Sequence, residues 1–147
     1  MIDWPPSDPG RLKVWLAADL QDARDRRVNL LERIAEGKAV LHQPVTTHLS
    51  QTKIAYTTVS DPTHEVVALW SVEIPAMEAE VRRIDLILRQ YERAVSQLED
   101  GHRKVIIGAY DLQLGVSEIC GSAGISERTY YRWLEQSLEY LARRIGR

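Results

Sequence analysis

Ser126, Glu127, Arg128, Tyr131 and Arg132 fall within seven consecutive residues and combine a hydroxyl, a carboxylate, a phenol and two guanidiniums. No nucleophile stands beside a base in this group, so its chemistry is recognition by hydrogen bonding rather than bond breaking. A guanidinium can clamp the edge of a guanine through two bonds. Arg132 is the candidate for that contact, and Arg128 suits a guanine or a phosphate. Ser126, and Ser117 nine residues earlier, are expected at helix starts, where a hydroxyl and free amides suit a phosphate oxygen. Such contacts fix register without reading sequence. Glu127 could accept from cytosine or hold Arg128, and Tyr131 could touch a thymine methyl or the backbone. For these two a plain solvated role is nearly as natural. Arg103 and Lys104, further back, are candidate backbone clamps.

These side chains need an element to aim them. The stretch from Val116 to Trp133, VSEICGSAGISERTYYRW, has the spacing of a helix-turn-helix. Ile119 and small Cys120 belong where two helices meet closely. Gly124 follows four residues later, where the chain must turn and a left-handed conformation favours glycine. Ile125 fills the angle, Ser126 caps the second helix, and Tyr130 and Trp133 lie on its buried side. An ordinary helical corner in an all-α core would share much of this pattern. Ala123 is smaller than the apolar residue usual before such a glycine.

The remaining composition narrows the field. At 147 residues the chain is one domain, or a small domain with an extension, with 44% apolar and 27% charged residues. It has no apolar run near the ~18 residues of a membrane span and no signal-peptide pattern at its start. One cysteine excludes an internal disulfide framework and fits a reducing cytoplasm. The net charge is −2, but residues 101–147 carry seven Lys or Arg against five acids. That local excess coincides with the helix-turn-helix, as a DNA-facing module requires. His42, His48 and His64 match no metal-ligand spacing. No glycine-rich phosphate loop is present, so neither catalytic nor metal residues nor a cofactor are expected.

Taken in order, residues 1–10 predict an extended lead-in, and Arg11 to Glu36 a helix with Leu16, Leu20, Ala23, Leu30 and Ile34 on one side. Arg27 interrupts that stripe, and Gly37 is its expected stop. Residues 38–60, rich in Thr and Ser with Pro44, predict a polar loop or weak hairpin. Asp61 and Pro62 then look like the cap and first residue of another helix, with Val66, Val67, Leu69 and Trp70 as its apolar face. From Pro75 to Asp100, Met77, Val81, Ile84, Leu88, Tyr91, Val95 and Leu98 step by 4, 3, 4, 3, 4, 3 as a heptad seam. Two readings stand side by side: packing within one molecule, or a homodimer through residues 77–98. Gly101 punctuates this helix, and His102 to Leu112 predict the next, ended by Gly115. Ser117 is then expected to cap a short helix, and Glu127 to Ile145 form the last, terminated by Gly146. The fold class is all-α: an N-terminal helical region over 1–74, a long helix over 75–100 and a helix-turn-helix domain over 101–147.

Residues 92–146, ERAVSQLEDGHRKVIIGAYDLQLGVSEICGSAGISERTYYRWLEQSLEYLARRIG, resemble the C-terminal part of the ArpU/RinA-type phage transcription regulators. These are similar in turn to the promoter-reading region 4 of bacterial sigma factors. The shared pattern is an apolar helix ending in tyrosine, a Ser-Glu-Ile opening, then Ile-Ser with an aromatic and a basic residue. TTVSDPTHEVVALW, residues 57–70, resembles a short Asp-Pro segment ahead of their long helix. The likeness spans about two-thirds of the chain, and the chain departs from it in sparse basic content and in Cys120. It implies a cytoplasmic phage or prophage protein that activates late genes by binding double-stranded DNA. A DNA-packaging adaptor of the terminase small-subunit kind, or an adaptor that holds RNA polymerase, are the alternatives.

Overall fold

The structure, a computed structural model, describes residues 2–42 and 56–145, with side chains from residue 64 onward in the second stretch. Its elements are α1 (Pro9–Leu41), α2 (Tyr56–Ser96), α3 (Asp100–Ile106, continued by a π-helical turn over Ile107–Asp111), α4 (Val116–Ala123) and α5 (Glu127–Ile145). No strand occurs among the described residues, so the fold is all-helical. Two compact units divide the chain, residues 1–25 with 84–147 and residues 26–83.

Both long helices exceed their expected bounds. α1 starts two residues before Arg11 because Pro9 suits a first helical position and Asp8 caps it. The Asp8 carboxylate accepts the Arg11 amide at 3.0 Å. The lead-in is tied down as well, since the Trp15 indole donates to the Asp3 carbonyl at 3.1 Å. At its other end α1 runs through Gly37, which is therefore not a stop. A Cβ there would stand 2.5 Å from a ring carbon of Trp70, so the glycine serves helix packing. α2 likewise begins at Tyr56 rather than at Asp61, and Pro62 and Pro75 lie inside it. Asp61 and Pro62 are therefore neither the cap nor the first residue of a helix. Pro75 is exposed and costs the helix one backbone bond. The expected polar loop thus shrinks at both ends, and its part at 43–55, with His48 and Pro44, lies outside the described residues.

The first unit is built around one core. Leu12, Trp15, Leu16 and Leu20 from α1 meet Ile87, Tyr91 and Val95 from α2 and Leu98 just beyond its end. Val105, Ile106 and Tyr110 join them, with Ile119 of α4 and Tyr130, Leu134, Leu138, Leu141 and Ile145 of α5. Each such side chain contributes roughly 1.5–3 kcal/mol when fully buried. Arg24 adds a pair to Asp111 at 2.9 Å, and the Tyr91 hydroxyl donates to the same carboxylate at 3.4 Å. Burial and that neighbouring carboxylate push the Tyr91 phenol well above its ordinary value. Burial pushes Tyr110 up to about 12.

In the second unit the two long helices bury Leu30, Ile34, Ile74 and Val81. Arg26 binds Glu80 through two bonds at 3.0 and 3.2 Å, Arg33 meets Glu73 at 3.4 Å, and Lys38 meets Glu78 at 3.1 Å. The expected heptad seam is spent inside the chain. Val81, Ile84, Tyr91, Val95 and Leu98 are buried and Met77 and Leu88 half-buried. This burial within one chain is what the intramolecular reading expects.

Past the seam, α2 ends at Ser96 rather than Gly101. Gly101 sits in the first turn of α3, directly beneath the Trp133 ring. The expected helix over 102–112 is a short α-helix widened by the π-helical turn, where the Leu112 amide donates to the Ile107 carbonyl at 2.9 Å. The two-residue offset at α4 follows: its N-cap is Gly115, not Ser117.

Candidate nucleic-acid interface

α4 and α5 meet as their residue types require. Gly124 closes α4 at φ +67°, ψ +37°, the left-handed conformation, and its amide donates to the Cys120 carbonyl. The Ile125 amide reaches the same carbonyl at 3.1 Å. A Cβ at Gly124 would meet nothing within 4 Å, so glycine is required there by backbone angle alone. Gly108 is different. A Cβ there would lie 2.9 Å from the side chain of Ile119, so its lack of one lets α4 settle against the π-helical turn. Cys120 is a free, half-buried thiol, and it packs with Ile125 against the core.

Ser126 caps α5. Its hydroxyl oxygen accepts the Thr129 amide at 3.2 Å, and the hydroxyl itself donates to Thr129 Oγ1 at 3.1 Å. The side chain expected to touch phosphate is thus engaged within the first turn, and the remaining anion attraction comes from the helix end. α5 runs over Glu127–Ile145 as its periodicity predicts, with Tyr130, Leu134, Leu138, Leu141 and Ile145 buried. Burial is the main cause raising the Tyr130 phenol. Its ring meets Tyr131 edge-on at 5.1 Å between centroids.

On the other side of α5, Glu127, Arg128, Tyr131 and Arg132 are all exposed. At about 100° per residue they occupy a single arc of the helix. Arg128 and Arg132 stand one turn apart and form no ion pair among the described residues. Glu135, also exposed on this arc, was not singled out by the sequence reasoning although its i+4 spacing from Tyr131 marks it. Ser117 lies exposed in the first turn of α4, beside exposed Glu118.

The two α3 candidates differ in their bonding. Lys104 is exposed at the rim of an open groove of about 330 Å³, which Ile107, Gly108, Leu112, Leu114 and Ile119 also line. Arg103 lines the same groove, but its Nη2 donates to the carbonyls of Ser96 and Leu98 at 2.9 Å each and its Nη1 meets Asp100 at 3.4 Å. It closes the C-terminal end of α2, a role that no local sequence signal announces. His102 was also unforeseen: it stacks on Trp133 at 5.0 Å and bonds Gln136 at 2.9 Å. These contacts fix the angle between α3 and α5. Among the described residues no three His, Cys, Asp or Glu side chains gather as a metal site, and no helix is long and apolar enough to cross a membrane. Compared with protein-family models, curated proteins and solved structures, the chain matches none of them.

Proposed function

We propose that this chain is a sequence-specific DNA-binding regulator of transcription. In this reading α4 and α5 form a helix-turn-helix, and α5 enters the major groove with Arg132 and Arg128 toward base edges. The observation that carries the proposal is the outward arc of α5. Two guanidiniums with no ion pair among the described residues stand on a helix whose start is fixed by a left-handed glycine and a serine cap. Two guanidiniums one helical turn apart on an exposed arc suit bidentate base contacts. The resemblance to ArpU/RinA-type phage regulators supports the same conclusion and adds activation of late genes in the cytoplasm of a phage or prophage host. The role is binding, without catalysis. Ser117 and Lys104 would contact phosphates, while Arg103 is assigned to the fold.

A second reading has its own support. Leu112 is 62% exposed beside the α3–α4 groove, which favours a protein partner such as RNA polymerase. Selection of bound fragments from a random duplex pool separates the two. A sharp motif supports the DNA reader; enrichment of no motif, with polymerase retained on the immobilised protein, supports the adaptor.

A further inference from the structure

In the second unit α2 has two apolar sides, and among the described residues only one of them is buried. Ile74 and Val81 face inward with Leu30 and Ile34. On the opposite side Leu69 is 57% and Val72 74% exposed, and Ala76 and Ala79 are exposed beyond them. Glu65, Leu69, Val72, Ala76, Ala79 and Arg83 follow one another at steps of 4, 3, 4, 3, 4. This is a second heptad stripe, turned away from the buried one.

We propose that this outer face of α2 docks a second copy of the chain, antiparallel, about a two-fold axis level with Ile74. The stripe is complementary to its own reverse. An antiparallel copy sets Val72 against Ala76, Leu69 against Ala79, and Glu65 against Arg83 of the other molecule. Each larger side chain then meets an alanine, which allows the helices to approach to roughly 8 Å. Each end of the contact opposes a carboxylate to a guanidinium, twice by symmetry. A parallel arrangement would oppose Glu65 to Glu65 and Arg83 to Arg83, which is repulsive. The acids toward the flank, Glu73, Glu78 and Glu80, are already paired with Arg33, Lys38 and Arg26. Charge selection on the outer face therefore falls to Glu65 and Arg83. Among the described residues this unit consists of two helices, and two such pairs make a four-helix arrangement with a shared core. The occupant that fits is thus another copy of this chain, whatever the protein binds elsewhere.

Sedimentation equilibrium of the full chain at micromolar concentration and low salt tests this. The wild type is expected to dimerise, and Val72→Glu, at an exposed position, to be monomeric with unchanged helical circular dichroism. Glu65→Arg and Arg83→Glu should each weaken the dimer about tenfold, because attraction becomes repulsion at two symmetric sites. The double exchange should restore it, which no general loss of stability could mimic. A monomeric wild type overturns the proposal. So does a dimer indifferent to Val72→Glu, or one that the double exchange fails to recover.

Discussion

Single residues carry more of this structure than their chemistry announces. Gly124 is needed for its φ of +67° alone, so Gly124→Ala is expected to cost about 1–2 kcal/mol. Gly124→Val should cost more, since a β-branched residue is poorly tolerated at positive φ. Denaturant unfolding of the three proteins measures the series; equal stability of all three would show that the turn tolerates a side chain. Arg103 gives the opposite lesson. From sequence, a basic residue ahead of a DNA-reading motif reads as a phosphate clamp, because nothing local shows where its guanidinium points. Its bonds to the Ser96 and Leu98 carbonyls instead assign it to the end of α2. Arg103→Ala should therefore lower stability by roughly 1.5–3 kcal/mol, the range for hydrogen bonds to a charged group, while leaving the preferred DNA sequence unchanged. A melting curve and a repeated site selection check both halves. Unchanged melting with weakened binding to all DNA would return it to the clamp role.

At the scale of elements, legibility depended on how much of the determining contact was local. α5 was legible to its bounds, since its apolar stripe, Ser126 cap and Gly124 stop all lie within or beside it. α1 and α2 were recognised as helices but cut short. Gly37 and Pro62 are punctuation by local rules, and at Gly37 only Trp70 of the partner helix shows why the chain continues. The heptad seam was correct as a periodicity and silent about its partner, since an apolar stripe does not say whether its cover comes from the same molecule. The charged pairs between α1 and α2 in the second unit were likewise invisible, being set by a register between distant segments. Their energetics are testable through pH. The bond from Arg26, ahead of the opposing effect of burial, holds the Glu80 carboxyl below its ordinary range. A depressed folded value means the stabilisation is complete above the unfolded value of about 4.3. It is lost as pH falls through the folded value. The melting difference between wild type and Glu80→Gln should be constant from neutrality down to that point and shrink below it. A difference that grows on acidification would contradict the assignment of the pair.

For the whole molecule, a net charge of −2 argues against indiscriminate nucleic-acid binding, so the proposed function rests on a few arranged cations. Among them Arg132 is proposed to read a base and Lys104 to hold a phosphate, and the two roles leave different traces. Lys104→Ala should weaken every duplex alike and flatten the log–log salt dependence by about 1. The measurement that bears most directly on the account is a gel-shift titration of wild type and Arg132→Ala, on a selected site and on its scrambled version. Arg132→Ala is expected to lose about 1–3 kcal/mol on the selected site and almost nothing on the scrambled one. Equal affinity of both proteins for both DNAs would contradict the assignment of α5 as the reading helix.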